Sequence, residues 1–497
     1  MVAGFSKRII STHKIKKMKT LIINPPCEKG FDRSGRWPAK VEGGTFIEPL
    51  FLAYTAAVLE KEGMPVELID CRPFYISQEQ LLEKFDDDIG LAVLQTSTAS
   101  IKLDLDTALK IKQKFPKTKI CLVGSHVSVL DKEIMEENPQ IDFIARREYE
   151  HTVRDLANAL ANNEIFDGIP GITFRKNSEI VRNPDRPYIE NLDELPFPAR
   201  NLLPMDTYFE AIFKSKRTFR LMGSRGCPYQ CTFCLWPQTM YGRKVRFRDP
   251  KKVVDEIEHL ISKHRAQGLY FEDDTFALIP SRTIEFCDEI IKRKIKIPWS
   301  CMGRVDTINE AMLGKMKKAG CYMIRLGVES ASQNILDRAK KGITVEQIIK
   351  AFSMVEKAGI ETYASYTLGL PGETKETLKE TIEFAVRLNS DYAQFGIAMP
   401  YPGTEFYQEA QGKGWLRTKN WSDFEASANS VLEYPDLKTE DIISAHKIAY
   451  RRFYLRPGYV VRRARRIKSF AEAYQLIRGA RHLIQNTISN ERNSNLK

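Results

Sequence analysis

The chain has 497 residues, 43% of them hydrophobic, and 76 Lys and Arg against 64 Asp and Glu give a formal net charge of +12. That length predicts two to four domains, and that composition supports sizeable cores, which excludes a disordered or fibrous chain. Nine cysteines, an odd number without secreted-scaffold spacing, point to a reducing cytoplasm, and no apolar run reaches the roughly 18 to 20 residues that cross a bilayer.

Residues 1–17 are basic, lack the apolar core of a signal peptide, and are expected to form a disordered extension. Residues 18–165 then read as alternating strands and helices. Leu21-Ile22-Ile23 is a buried-strand run stopped by the Asn24-Pro25-Pro26 turn. A loop rich in Gly, Arg and Trp follows, and an apolar helical face runs from Leu50 to Leu59. Further strands are predicted at Val66–Ile69, Leu91–Leu94, Ile120–Val123 and Ile141–Ile144, with helices over 101–114, 131–137 and 151–162. This alternation predicts a doubly wound parallel sheet, whose ligands sit at the carboxyl ends of the strands. Those ends carry Asn24 and Pro25, Thr96 and Ser97, and Gly124, Ser125 and His126. A lone histidine after a strand is more often a hydrogen-bonding residue than a metal ligand.

Residues 166–215 are rich in Pro and Gly and read as a linker. It contains a small hairpin at Ile172–Phe174 and Ile180–Val181 and an extended connector at Leu192–Pro198. A second strand-helix series fills 216–410. Its predicted strands lie at Phe219–Met222, Leu269–Phe271, Trp299–Met302, Met323–Val328, Thr362–Leu368 and Ala393–Ala398. Six such units make a partial (β/α) barrel, with chemistry at the C-terminal ends of the strands. Those ends carry Glu272-Asp273-Asp274, Arg304, Glu329 and Ser330, and Gly369-Leu370-Pro371-Gly372-Glu373.

Between the first strand and first helix of that series lie Cys227, Cys231 and Cys234, spaced C-x3-C-x2-C. Three thiolates on one short loop suit one soft metal centre. An iron–sulfur cube takes four ligands, so three cysteines leave one iron open to a substrate or cofactor. The alternatives are zinc with a distant fourth ligand, and chance clustering of buried thiols.

Residues 411–497 form a basic region, expected to be helical over 440–486 with a break at Pro457-Gly458. Residues 451–497 hold twelve Lys or Arg against Glu472 and Glu491. The arginines alternate with Phe453, Tyr454, Tyr459, Val460, Val461, Ile467 and Phe470. Such a helix can lie on an anionic membrane, bind nucleic acid, or cover the barrel as a solvated basic face. The Asn-rich stretch from Asn486 to Lys497 is expected to be disordered.

The cysteine loop resembles the signature of the radical S-adenosylmethionine (SAM) superfamily, with Phe233 as the aromatic before the last cysteine. The resemblance covers about residues 218–405. It implies that Cys227, Cys231 and Cys234 bind a [4Fe–4S] cluster whose open iron takes the amino and carboxylate groups of SAM. One-electron cleavage then gives a 5′-deoxyadenosyl radical. It further implies that Glu272, Asp273 and Asp274 receive the SAM ammonium and that Arg304 lies near its carboxylate. By the same resemblance Glu329 and Ser330 lie near the ribose hydroxyls, and the turn of Gly369 and Pro371 lies under the adenine.

Residues 18–165 resemble the cobalamin-binding domain fused to one class of these enzymes, with Asn24, Pro25, Thr96, Ser97, Gly124, Ser125 and His126 as landmarks. The D-x-H-x-x-G motif that supplies a lower cobalt ligand elsewhere is absent, so ligation by histidine is not expected. The run Cys231–Thr239 resembles the cobalamin-type enzymes of hopanoid lipid tailoring and, more loosely, the anaerobic cyclase that closes a chlorophyll ring.

The resemblance therefore implies an enzyme of methyltransferase or cyclase type that functionalises an unactivated carbon, with cluster, SAM and cobalamin as cofactors. Its substrate would be a small molecule or an isoprenoid or other membrane lipid. Its expected partners are an electron donor such as flavodoxin or ferredoxin and a peripheral membrane surface, with no nucleic acid. The competing readings are a tRNA methylthiotransferase-like enzyme, for which Cys27, Cys71 and Cys121 are too scattered, and a non-enzymatic electron carrier or cobalamin sensor.

Overall fold

The computed structural model describes residues 18–36, 38–40, 45–210, 212–427 and 429–466. The expected extension at 1–17 and the tail beyond 466 lie outside these residues. Two parallel sheets organise the chain.

The first sheet is built from β1 (Lys19–Asn24), β2 (Val66–Asp70), β3 (Ile89–Gln95), β4 (Lys119–Val123), β5 (Phe143–Ala145), β6 (Ile172–Lys176) and β7 (Glu179–Arg182), in the order β2-β1-β3-β4-β5-β6-β7. Leu21, Ile22 and Ile23 are fully buried because both faces of β1 are covered, the state that continuous apolar strands encode. The strand order reverses between β1 and β3, and the loops after them part to leave a crevice at the carboxyl ends. The hairpin at 172–182 forms, and it does more than bridge the two halves of the chain. β6 pairs antiparallel with β5, Ile144 opposite Thr173, and so extends the first sheet into the stretch read as linker. The connector at 192–198 begins as a 3-10 turn over Leu192–Glu194, because the Asn191 side chain accepts from Asp193 N at 3.1 Å.

The second sheet is built from β8 (Thr218–Leu221), β9 (Gly268–Phe271), β10 (Trp299–Gly303), β11 (Cys321–Glu329), β12 (Glu361–Leu368) and β13 (Tyr392–Ile397). These six strands are all parallel and adjacent in chain order, which is a partial barrel. The helices between them start at local signals. Asp249 caps Pro250–His264 by accepting from Lys251 N at 2.8 Å, and Thr344 with Gln347 closes a capping box on Val345–Lys357. Along β12, Thr362, Ala364, Tyr366 and Leu368 are buried towards the helices. Glu361, Tyr363, Ser365 and Thr367 alternate with them on the lumen side and are only half-buried.

Buried ion pairs lock the two halves together. Glu148, from the first sheet's side, accepts from Arg225 and Arg246 at 2.7 Å each, and Glu256 accepts from Arg200 at 2.9 Å and from Arg248. Removing one member of such a network strands its partner and costs about 3–5 kcal/mol.

The helix Thr439–Tyr454 covers the open edge of β13. Tyr454 Oη accepts from Ala393 N at 3.0 Å and donates to Ala393 O at 2.7 Å. Three tail arginines are committed nearby. Arg456 donates to Val386 O at 2.7 Å, Arg462 to Asn389 O at 2.6 Å and Arg463 to the Tyr392 hydroxyl at 2.8 Å. Cations at the last carbonyls of the helix Lys375–Leu388 are favourable there, so residues 451–463 act first as a cap on the barrel. No helix among the described residues is long and apolar enough to cross a membrane.

Candidate active site between two strand ends

The chain leaves β8 through Ser224–Arg225, runs through the cysteine loop and returns at Arg246–Phe247, which pairs with Ser224–Arg225. Gly226 has φ +92°, and a Cβ there would overlap the carbonyl oxygen of Lys244, so only glycine fits. Asp274 accepts from Gly226 N at 2.9 Å, and Gln238 Nε2 donates to Cys234 O at 2.7 Å. Cys231 is buried, and Cys227 and Cys234 are partly buried. Burial pushes the Cys227 and Cys234 thiols up. The Arg36 guanidinium opposes this at Cys234, and each of the two thiols is raised further by Cys231 beside it.

Arg304, paired with Asp306 at 3.0 Å, and Lys341 also stand within electrostatic reach of Cys231. Three mutually repelling sulfurs ringed by Arg36, Arg304 and Lys341 form a donor set for an anionic, thiolate-ligated centre. Among the described residues no three His, Cys, Asp or Glu side chains close at single-ion spacing; a cubane spreads its ligands more widely.

The acidic end of β9 is not a free patch. Asp273 accepts from Gly223 N at 2.8 Å and Ser224 Oγ at 2.5 Å, and burial pushes its carboxyl up to about 6. Asp274 pairs with Arg36, and Glu272 with Arg220. These carboxylates hold the cysteine loop in place. Arg304 packs over the Tyr229 ring at 3.4 Å and donates to Lys341 O at 2.7 Å.

Glu329, at φ +65°, accepts from Lys341 at 2.6 Å and from Thr367 Oγ1 at 2.7 Å. Ser330 is fully buried and its Oγ accepts from Ser332 N at 3.2 Å. Gly369 has φ +90°, Pro371 is buried, and Glu373 accepts from Gly369 N and Leu370 N to close their turn. Burial pushes the Glu373 carboxyl up to about 8. Phe233 is partly buried and packs against the main core.

On the other side of the loop is a narrow cleft. Gln95, Thr96, Ser97, Gly124 and Ser125 at the ends of β3 and β4 form one wall. Leu235, Trp236 and Met240, on the turn of helix directly after Cys234, form another. Gln95 Oε1 is buried there without a hydrogen-bond partner, and Arg33, Gly35 and Arg36 complete the lining. Gly124 has φ +125°, and a Cβ would overlap the Thr96 carbonyl. An unsatisfied amide oxygen in a glycine-edged cavity at a switch point fits a cofactor with hydrogen-bonding amides, as cobalamin has.

Asn24, Pro25 and His126 do not line the cavity. Asn24 instead donates to Ser34 Oγ at 3.0 Å and Asp70 at 2.9 Å. His126 packs edge-on against Trp421 with Nδ1 3.2 Å from Thr98 Oγ1, and burial holds its pKa down at about 3. Arg36, Gln95, Trp236 and Lys341 were not expected from the sequence. The Gly-, Arg- and Trp-rich composition of the loop after β1 gave a signal for the first, Gln95 opens the polar run at the end of β3, and Trp236 lies within the Cys231–Thr239 run.

A parallel sheet and a three-cysteine barrel that share one wall are the architecture of a two-cofactor enzyme. The description "Radical SAM superfamily" matches residues 221–385, and "B12 binding domain" matches residues 38–157. An uncharacterized methyltransferase of Pyrococcus horikoshii, PH0819, is 34% identical over 90% of this chain and 95% of its own length. The anaerobic magnesium-protoporphyrin IX monomethyl ester cyclase of Rubrivivax gelatinosus is 30% identical over 89% of this chain and 78% of its own length. In fold, the solved structure of the cobalamin-dependent SAM radical enzyme OxsB has a TM-score of 0.72 at 18% identity, over 93% of this chain and 70% of that one. The chain belongs to the radical SAM superfamily, in the group that carries a B12 binding domain. It is an enzyme of the methyltransferase and cyclase type, and its cofactors are a [4Fe–4S] cluster, SAM and cobalamin.

Proposed function

We propose that this enzyme transfers a methyl group to an unactivated carbon, with the reaction set in the space between the cysteine loop and the cavity at β3 and β4. The observation that carries this reading is the shared wall: Trp236 lines the cavity two residues after Cys234. When bound, the cluster with SAM supplies hydrogen-atom abstraction and cobalamin supplies a carried methyl group.

Cys227, Cys231 and Cys234 hold the cluster in this proposal. Asp273 and Asp274 fix the loop, and Arg36, Arg304 and Lys341 offset its negative charge. The backbone carbonyls at the end of β9 would receive the SAM ammonium, with Glu272, Asp273 and Asp274 behind them supplying negative potential. Glu329 and Ser330 stand towards the ribose, and the turn at Gly369 and Pro371 stands under the adenine. Thr96, Ser97, Gly124 and Ser125 would hold cobalamin, with His126 outside the cavity lining. An external one-electron donor such as flavodoxin or ferredoxin completes the cycle.

The substrate class within this proposal is a membrane isoprenoid or related lipid. Support comes from the Cys231–Thr239 run, from exposed Val460 and Val461, and from the basic residues beyond 466. Untargeted lipid comparison of a deletion strain with its parent tests it. The expected result is loss of a methylated lipid and build-up of its precursor, and an unchanged lipid profile removes the lipid reading. Full-length protein is also expected to co-sediment with anionic vesicles at low salt and to be released at high salt.

A further inference from the structure

Two arginines enter the barrel lumen, and they differ in how their charge is met. Arg220 on β8 pairs with Glu272 and with Glu210. Arg325 on β11 makes no ion pair among the described residues. Its Nε donates to Ser365 Oγ at 2.8 Å and Nη2 donates to Gln394 Oε1, while Tyr363 lies under the guanidinium at 4.6 Å from the ring centre. Neutral groups of β12 and β13 therefore brace it directly, Glu272 and Glu210 act on it without an ion-pair contact, and among the described residues Nη1 makes no hydrogen bond.

Arg325 is also reachable. The lumen-facing residues Arg325, Gly327, Tyr363, Ser365 and Gln394 are half-buried, whereas their strand neighbours facing the helices are buried.

A guanidinium without a directly bonded counter-charge is costly to desolvate, and neutral dipoles with more distant carboxylates offset only part of that cost. Its planar fork matches a carboxylate or phosphate through two parallel hydrogen bonds. We propose that Arg325 anchors an anionic group, a carboxylate or a phosphate, at one end of the substrate. This rests on the methyl-transfer reading, in which chemistry occurs at the strand ends. Arg325 lies four residues before Glu329, which at about 3.3 Å per residue places it about 13 Å down the lumen from that end. The substrate is thus elongated, with its anion well removed from the reacting carbon.

The test is calorimetric binding to the reconstituted enzyme with SAM present. The probes are farnesyl diphosphate against farnesol, and dodecanoate against dodecanol. The wild type is expected to bind at least one anionic probe about ten-fold or more tightly than its neutral partner. Arg325→Gln should lose that preference and leave the neutral probes unchanged, and Arg325→Lys should fall between. The probe that shows the preference tells phosphate from carboxylate, and inorganic pyrophosphate should compete only in the phosphate case.

Should Arg325→Gln fail to fold, Gln394→Leu, which releases one brace, is expected to weaken anion binding several-fold. Equal binding of anionic and neutral probes by wild type, no binding of either anion at millimolar concentration, or an undiminished preference in the foldable variant would overturn the anchor. Because binding is read without turnover, failure of methyl transfer would leave this result standing, and the reverse also holds.

Discussion

The indole Nε1 of Trp236, two residues after the last cluster cysteine, donates a 2.7 Å hydrogen bond to the carbonyl of Arg36, on the loop after β1. Both residues line the cavity, and the Arg36 side chain goes on to Asp274 at the end of β9. One short path therefore joins the cysteine loop, the cavity and the barrel. Trp236→Phe leaves a buried carbonyl unpaired, at a cost of about 1–3 kcal/mol. The expected outcome is a lower melting temperature and faster loss of cobalamin on gel filtration, with iron content near wild type. Lost iron with fully retained cobalamin would argue against this path.

The two strained glycines should separate the two cofactors. Gly124→Ala drives a Cβ into Thr96, and Gly226→Ala drives one into Lys244. The first should lower bound cobalt and spare iron, and the second should lower bound iron and spare cobalt. Metal analysis of both reconstituted variants checks this, and identical losses in both would refute the separation.

His126→Ala is expected to keep cobalamin, because the imidazole sits against Trp421 and outside the cavity lining. A variant that releases cobalamin, or whose bound-cobalamin spectrum changes, would restore His126 as a candidate ligand.

Glu373 gives a pH signature. Its folded carboxyl titrates near 8, above its ordinary value of 4.5, because burial disfavours the charge. Between those values the folded state holds more protons than the unfolded one, so this group's contribution to stability falls as pH rises towards 8. Glu373→Gln should melt close to wild type near pH 4.5, above it by pH 6, and several degrees above it at pH 8.5. Thermal melts across that range decide the matter, and parallel curves would contradict it.

The strands and both sheets were legible because apolar runs punctuated by Gly and Pro report backbone directly, as at Leu21–Ile23 and Leu269–Phe271. The cysteine loop was legible because ligand spacing is local. Partners distant in sequence were not. Nothing near Asp274 announces Arg36, 238 residues earlier, and nothing at Glu329 announces that Lys341 will neutralise it. The acidic run at Glu272–Asp274 looked like a free cation patch because sequence shows charges and not their partners. Of the readings offered for the basic tail, its described part takes the barrel cover, since Arg456 and Arg462 spend donors on carbonyls at 386 and 389.

The central claim is that one chain holds a cluster on Cys227, Cys231 and Cys234 and cobalamin across the adjoining wall. Iron and cobalt counts on anaerobically reconstituted, gel-filtered protein test it most directly. The account predicts about four iron and about one cobalt per chain in the wild type. It predicts iron lost but cobalt retained in Cys231→Ala, and both unchanged in Cys287→Ala. A full iron complement in Cys231→Ala, or a wild type that retains no cobalt, would contradict it.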